Sequence, residues 1–463
     1  MQKTYLRKKK NPIWWISSLY FAEGLPNVII SFVAIVMYKR LAMEGACDGL
    51  DNATIAFWVS LLYLPWMIKP FWSPIVDVLK TKRWWILTMQ FFLGAAFAGV
   101  AFALPLDSAL QWTLVFFWLA AFSSATHDIA ADGYYMQQLD SHHQALFVGI
   151  RSTFYRISGI AGQALLLMLA SNLEVFLRDP VEAWSLTFVL ASVVFFALWV
   201  YHSFCLPVSD CDHNSCERFS VREAMLKTVA MHITFFFKPG FWAALAFMLL
   251  YRFPEALLTK VCPLFMLDRQ EVGGLALSTS QLAYIQGVIG TPGMLLGGIL
   301  GGIVVARDGF KKWFWPMVAA ISVPNVIYVL LAYWQPSSTC LVGLGVFIEQ
   351  FGYGFGFTAY MLYMLYFSQI KFVRCHGAWG RVVNWLFDKC PALYKQTQGE
   401  HQTSHYAFCT GLMALGLMGP GIFSGWFQEQ LGYLNFFIII IPLCLLTVLV
   451  SRLIKVPGNF GRK

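Results

Sequence analysis

Long runs of apolar residues, almost free of charge, dominate this sequence. Two examples are Leu87–Leu106, LTMQFFLGAAFAGVAFALPL, and Leu431–Val450, LGYLNFFIIIIPLCLLTVLV. At 1.5 Å per residue, an α-helix of this length crosses a hydrocarbon core about 30 Å thick. Only 12% of the 463 residues are charged, whereas about a quarter are charged in soluble domains. The chain is therefore predicted to be an all-α membrane protein.

Twelve such spans are predicted, six before and six after a polar segment. Span 1 to span 12 cover approximately residues 13–38, 54–79, 84–104, 111–137, 144–172, 183–205, 240–266, 279–306, 312–334, 339–368, 404–428 and 433–454. Span 1 is interpreted as a retained helix, because it is long for a secretory signal and lacks a small-x-small cleavage pattern. The predicted domains are residues 1–206, a linker at 207–239 and residues 240–463, the last with a polar insert at 371–402.

The two halves repeat one another in part. KPFWSPIVDVLKTKRWW after span 2 is similar to GGILGGIVVARDGFKKWFW around the end of span 8, and spans 1 and 7 contain YFAEGLP and YRFPEAL. Repeated six-helix halves are typical of secondary transporters, which bind substrate between the halves near the membrane midplane. In the linker, Ser220–Met231 has the capping and apolar spacing of a helix lying on the membrane surface.

The distribution of lysine and arginine predicts the orientation. Of the 33 such residues, 24 fall in segments that are cytoplasmic if the N-terminus is cytoplasmic, and four fall in the opposite loops. The positive-inside rule therefore places both termini in the cytoplasm. The net charge of +9 reflects this orientation, so the expected partners are the lipid bilayer and a small solute, not nucleic acid, and a monomer is expected.

The ten cysteines follow no metal-binding or disulfide pattern. The segment between Cys211 and Cys216 fits no zinc spacing and is interpreted as a polar loop. We expect no metal and no cofactor. The charged residues inside the spans indicate that a proton gradient is the energy source.

Acidic residues recur inside every third span. Glu23 lies in span 1, Asp128 and Asp132 in span 4, Glu255 in span 7 and Glu349 in span 10. A charge at the membrane centre costs about 2.5–3.5 kcal/mol, so such side chains usually face protein or a wet cavity. We expect these four helices to line a common central path.

Two arginines of span 5, Arg151 and Arg156, are roughly level with Asp128 and Asp132 on the antiparallel span 4. A carboxylate beside a cation stays ionised, whereas one in apolar surroundings can hold a proton. Two roles are possible for these residues: ion pairs that hold the helices together, and proton coupling. Helix fastening by a gating ion pair is favoured for Asp132 with Arg151, and a coupling or cavity role is favoured for Asp128.

Further charged residues complete the predicted set. Arg252 and Glu255, one turn apart in span 7, are expected to line the cavity. Asp77 ends span 2 beside a basic cluster that includes Arg83, where a gating ion pair is predicted. His127 is interpreted as a helix-packing residue. The glycines of TPGMLLGGILGG and EQFGYGFGFTAY let spans 8 and 10 approach closely and slide.

Over nearly its whole length, the chain resembles the major facilitator superfamily, and more closely its branch of muropeptide permeases and acetyl-coenzyme A transporters. The matching segments are FAEGLPN, FWSPIVD with the basic cluster after it, HDIAADGYY, YRISG and EQFGYGFGFTAY. The resemblance implies two six-helix bundles. It also implies proton-driven import of anhydro-muropeptides or related cell-wall glycopeptides, by alternating access across a bacterial inner membrane. Asp128, Asp132 and Arg156 fall on matching positions.

Some features depart from that branch, and they leave alternatives open. The loop entering span 5 reads DSHHQ, the insert at 371–402 is long, and Glu23 replaces a small polar residue. An acyl-coenzyme A or other solute permease of the same fold is one alternative. A signalling receptor on a transporter scaffold is another, for which the insert is the only hint. An enzyme is not predicted, since HExxH and GxSxG motifs are missing.

Overall fold

The computed structural model describes residues 11–45, 50–139, 141–208, 221–372, 378–397 and 402–455, which are helical with short connections. Spans 1 to 6 are formed by Pro12–Met43, Asn52–Leu61 with Leu64–Val78, Lys82–Ala103, Ala109–Gln138, Ser141–Leu177 and Pro180–Cys205. Spans 7 to 10 are formed by Phe241–Leu250 with Phe253–Leu267, Thr279–Asp308, Phe310–Trp334 and Thr339–Gln369. Eleven helices among the described residues are long and apolar enough to cross a membrane.

The last of these helices contains two spans. Gln402–Leu453 has 52 residues, about 78 Å of helix at 1.5 Å per residue, which is more than twice the thickness of a hydrocarbon core. Its backbone is non-helical at Gly432, with φ 71° and ψ 165°, a conformation that glycine adopts most easily because it lacks a Cβ. Gln428 before this point and Tyr433 after it both contact Asn52. The chain therefore reverses at Gly432, and the expected twelve-span architecture is confirmed.

Two faces follow from this topology. The terminal face carries Asn11 and Lys455, the first and last described residues. The distal face carries the connections that follow each odd-numbered span. Spans 5 and 8 pack against each other, as do spans 2 and 11. A Cβ at Gly287 of span 8 would lie 2.6 Å from the Cβ of Ala164 in span 5. These two seams join the halves, and the domain boundaries assigned above stay a prediction.

Three spans contain wide π-helical turns where the halves meet. These turns are Ile29–Val33 in span 1, Ala161–Leu166 in span 5 and Tyr284–Gly290 in span 8. The turn of span 5 contacts the other two. Because π-turns interrupt regular helical packing and often mark functional positions, the middle of the interface is where the helices are least regular.

The distal face is closed by a polar network between the halves. Nζ of Lys39, at the end of span 1, lies 2.6 Å from Oδ1 of Asp268, at the end of span 7. Asn52 accepts a hydrogen bond from Lys39 and donates to Asp268 and Gln428. The Tyr433 hydroxyl donates to the same aspartate. Lys39 and Asp268 are both less than a tenth exposed, so this distal seal is a buried ion pair.

The linker and the insert pack together at the terminal face. The linker helix is Val221–Phe236, longer than the predicted Ser220–Met231, and the insert forms helices Ala378–Lys389 and Pro391–Thr397. Ala230, Phe387 and neighbouring apolar residues form a small shared core. The Cys211–Cys216 segment lies outside the described residues.

Lys238 attaches the linker to the end of span 10. Its Nζ donates to the backbone carbonyls of Phe367 and Ser368, both at 2.8 Å. Cations are favourable at helix C-termini because the last carbonyls lack partners within the helix. Burial lowers the pKa of this amine to about 8. The linker is thus anchored to the second half of the molecule.

Neutralising one member of the distal seal is expected to open the distal face. Removing one partner of a buried ion pair costs about 3–5 kcal/mol, and a third of this value already shifts a conformational equilibrium about tenfold. Distances between spin labels at Asp107 and Glu271, both exposed on the distal face, should lengthen in Asp268→Asn.

Two controls accompany this measurement. Glu44→Gln changes an exposed carboxylate of the same face and should leave the distances unchanged. The exchange Lys39→Asp with Asp268→Lys should restore the short distances. Unchanged distances in Asp268→Asn would show that apolar packing, not the ion pair, holds the distal face closed.

Candidate functional site

Five charged side chains of the first half gather near the middle of the bundle. Nζ of Lys69 in span 2 lies 3.7 Å from Oδ2 of Asp128, and Nη2 of Arg151 in span 5 lies 2.7 Å from Oδ1 of Asp132. Glu23 in span 1 is within electrostatic range of all four. We call these residues the acidic cluster, since three carboxyl groups face two cations.

Asp132 and Arg151 are the more accessible pair of the acidic cluster. Their side chains are 38% and 31% exposed, against 15% and 19% for Asp128 and Lys69. The Tyr20 hydroxyl donates to Asp132 at 3.1 Å, and the Arg151 guanidinium lies 4.5 Å from the centre of the Tyr20 ring. The predicted pairing is thus present as a contact of spans 1, 4 and 5, and a gating role stays a prediction.

Glu23 is buried, Asp128 is half-buried, and both have unused hydrogen-bonding capacity. Glu23 is 7% exposed, and its Oε2, like Oδ1 of Asp128, has no hydrogen-bond partner among the described residues. A buried carboxylate oxygen without a partner is costly when charged. With one acid more than its cations, the acidic cluster is electrically balanced when it holds one proton.

The second half contributes two further acids. Glu349 in span 10 is 2% exposed and accepts hydrogen bonds from the Tyr328 hydroxyl at 3.1 Å and the Gln350 amide at 3.0 Å. Glu255 in span 7 is 7% exposed, lies within electrostatic range of Glu349, and leaves Oε2 without a partner among the described residues. Both are placed in the interior, as the spacing predicted. Their role in coupling stays a prediction.

Arg252 begins the second segment of span 7, where Tyr251 and Arg252 interrupt the helix. Its guanidinium donates to the Tyr353 hydroxyl and lies 4.7 Å from the centre of the Phe357 ring. The residue is 7% exposed, and its Nε has no partner among the described residues. Aromatic faces attract a guanidinium, so span 10 holds this arginine without a carboxylate.

Arg156 points away from the acidic cluster. A Cβ added to Gly298 in span 8 would lie 3.3 Å from its Nη1 and 3.7 Å from the carbonyl oxygen of Gly354. The guanidinium is also within electrostatic range of Tyr353. Although Arg156 belongs to the first half, it reaches into the second, and no carboxylate of the described residues lies at ion-pair distance from it.

The predicted gating ion pair of Asp77 and Arg83 lies only partly within the described residues. Asp77 lies in the helix Leu64–Val78, but its side chain is outside the described residues. Nη2 of Arg83 donates to the Ser203 carbonyl at 2.6 Å, a contact within the first half. The described residues contain no group of three or more side chains able to hold a metal ion.

His127 takes part in a chain of side-chain hydrogen bonds through four spans. It bonds Gln90 at 3.0 Å, Gln90 bonds His202 at 3.0 Å, and His202 bonds Ser18 at 2.8 Å. Since buried polar groups need partners, this chain fastens spans 4, 3, 6 and 1 together. The packing role that the sequence favoured for His127 agrees with these contacts.

Reasoning from the sequence placed Lys260 in a cluster with Arg252 and Glu255 without assigning it a role, and it missed a second feature. Lys260, 2% exposed, lies in the seam between the halves, with Nζ 3.4 Å from the Ser31 carbonyl oxygen and 4.8 Å from the centre of the Tyr63 ring. The Lys39–Asp268 seal was missed, because both residues were assigned to loops. Spans 1 and 7 occupy corresponding positions in the two halves. A base at the end of span 1 and an acid at the end of span 7 were the signal that the sequence offered for this contact.

Breaking the Asp132–Arg151 pair is expected to lower thermal stability. We expect Arg151→Gln and Asp132→Asn each to cost about 1–2 kcal/mol, less than a fully buried pair because both groups are about a third exposed. The double variant should lose less than the sum of the single losses, as measured by thermal unfolding in detergent. Arg307→Gln, which removes an exposed ion pair with Asp308, should leave the melting temperature unchanged. Additive losses would contradict direct coupling.

Known proteins share this architecture. The model of the Major Facilitator Superfamily matches residues 16–370. The anhydromuropeptide permease of Escherichia coli is 22% identical over 95% of this chain and 79% of its own length. A protein of Rickettsia conorii called putative transporter AmpG 4 is 24% identical over 92% of both chains.

Solved structures agree with this result at the level of the fold. A D-xylose-proton symporter superposes with a TM-score of 0.66 at 12% identity, covering 97% of this chain and 98% of its own. The nucleoside transporter NupG gives 0.62 at 14% identity, covering 96% and 100%. The chain is a multi-pass membrane protein and belongs to the major facilitator superfamily of secondary transporters.

Proposed function

We propose that this protein is a proton-coupled importer of anhydro-muropeptides or related cell-wall glycopeptides in a bacterial inner membrane. In this proposal the terminal face is cytoplasmic, as the distribution of lysine and arginine predicts. The relatives named as anhydromuropeptide permease and AmpG-type transporter support the substrate class, since they align over more than nine-tenths of this chain.

The acidic cluster is the observation that carries the proposal. Five ionisable side chains lie inside the membrane-spanning part, and the three acids outnumber the two cations. Asp128 is the best candidate for the acid that takes up and releases the proton. It lies deeper than Asp132, its contact with Lys69 is 3.7 Å long, and one of its oxygens has no partner among the described residues.

Alternating access gives the distal seal a role. With the distal face closed by Lys39 and Asp268, the centre is shut off from the distal side, and in the proposed cycle it exchanges substrate with the cytoplasmic side. The two seams of close helix packing provide surfaces along which the halves can rock.

Uptake by the purified protein tests the proposal. Proteoliposomes would receive a labelled anhydro-muropeptide, with and without an inward-directed gradient of one pH unit. One pH unit is worth about 1.4 kcal/mol per proton and supports about tenfold accumulation. Wild type should approach this value. Asp128→Asn should equilibrate the substrate without accumulating it, while exchange of internal for external substrate continues.

Glu182→Gln is the matched control, since it neutralises an exposed carboxylate on the distal face and should accumulate substrate as wild type does. Accumulation by Asp128→Asn would move the coupling role to Glu23, Glu255 or Glu349. A folded wild type that transports no anhydro-muropeptide would overturn the substrate assignment and leave the family membership intact.

A further inference from the structure

Two arginines from opposite halves approach one tyrosine at the centre of the protein. Arg252 of span 7 donates to the Tyr353 hydroxyl. Arg156 of span 5 lies against Gly298 and beside Gly354, the residue that follows Tyr353, and is within electrostatic range of its hydroxyl. One tyrosine therefore lies within electrostatic range of two guanidinium groups that belong to different halves.

Neither arginine has a carboxylate at ion-pair distance among the described residues. This distinguishes them from Lys69 and Arg151, which do. Arg252 is 7% exposed, and its Nε is buried without a hydrogen-bond partner. A guanidinium offers five N–H donors in a planar fork that matches the two oxygens of a carboxylate. Here, part of that capacity is unused.

A guanidinium that is buried without a carboxylate partner is costly. An anion that contacts both arginines supplies the missing partner to each of them. We propose that Arg156 and Arg252 together bind an anionic group of the transported molecule, a carboxylate in the case of a glycopeptide. The identity of the transported molecule as a glycopeptide rests on the proposed function, whereas the binding of an anion by the two arginines does not.

The surroundings fit an anionic ligand with an organic body. Tyr63 of span 2 is within electrostatic range of both Arg252 and Tyr353, and Phe357 stacks on Tyr353 with 5.6 Å between ring centres. Aromatic rings supply apolar contact area with few rotatable bonds. The arginines would hold the charged end of the ligand, and the rings would contact its uncharged part.

Among the described residues, Glu255 is an acid that competes for Arg252. It follows one turn later in span 7 and lies within electrostatic range of the guanidinium, but no ion pair forms between them among the described contacts. When Glu255 carries a proton, it no longer attracts Arg252, and the guanidinium is available to the ligand. Proton binding and anion binding then favour each other at this site.

An anion held by both arginines would also connect the halves. Arg156 moves with the first half and Arg252 with the second, so the ligand bridges the interface where the halves must approach to close the cytoplasmic side. Only a ligand that binds one conformation more tightly can shift the equilibrium between conformations. An anionic group that contacts both arginines meets this condition, because separating the halves at this point would break one of its two contacts.

The test compares three probes on the full-length protein in lipid nanodiscs by titration calorimetry. They are an anhydro-muramyl peptide with free carboxylates, the same peptide with its carboxylates amidated, and a nucleoside diphosphate. Wild type should bind the acid peptide at least about tenfold more tightly than the amide. Arg156→Gln and Arg252→Gln should each weaken binding of the acid peptide by about 10- to 100-fold, the loss expected for a charge-assisted hydrogen bond. Both variants should bind the amide as wild type does.

Arg307→Gln, at an exposed arginine, is the control for charge removal, and unchanged melting temperatures verify folding. Equal losses for acid and amide peptides would overturn the proposal by reducing the arginines to a structural role. Arginine-dependent binding of the diphosphate alone would support the anion site and contradict the glycopeptide assignment. A folded wild type that binds none of the probes, or that does not distinguish acid from amide, would overturn the anion site, and the uptake assay would judge the substrate class separately.

Discussion

The constraint on which this structure depends is the cost of placing charge where water is scarce. A membrane-spanning bundle that carries five acids within spans 1, 4, 7 and 10 must balance each with a cation, a hydrogen-bond donor or a proton. The first half uses Lys69 and Arg151 for two of its three acids. The second half uses Tyr328 and Gln350 for Glu349 and leaves Arg252 to aromatic rings. The two halves are thus similar in architecture and different in electrostatics.

That difference suggests a division of roles. The acidic cluster has more acid than base and suits a proton, whereas the centre of the interface has arginines without carboxylates at ion-pair distance and suits an anion. The acidic cluster lies on spans 1, 2, 4 and 5, and the two arginines lie on spans 5 and 7. A carrier that moves a proton and an acidic solute together needs the two sites to be close but separate, because a shared site would make the ligands compete.

The sequence predicted the spans and the acids well, because both follow from strong local signals. An apolar run of 20 residues has few alternatives to a membrane helix, and an acid inside it must face the interior. Side-chain direction was harder to predict. Arg156 and Arg151 lie five positions apart on span 5, yet one crosses to Gly298 and the other pairs with Asp132. Lys39 and Asp268 meet because the halves pack in one particular conformation, and their positions at the ends of corresponding spans do not by themselves predict the contact.

The same reasoning explains why the contacts between the halves are of two kinds. The seams at spans 5 with 8 and 2 with 11 contain close approaches of small residues, such as Gly287 to Ala164 and Gly421 to Ser60, and such contacts change little as one helix slides over another. The distal seal is an ion pair with defined hydrogen bonds and is either formed or broken. A transporter that alternates between two conformations needs both kinds of contact. Sliding contacts keep the energy barrier between the conformations low, and a discrete contact makes one conformation lower in free energy than the other. On this view, Lys39 and Asp268 stabilise one end state, and an anion between Arg156 and Arg252 stabilises the closed state on the way to the other.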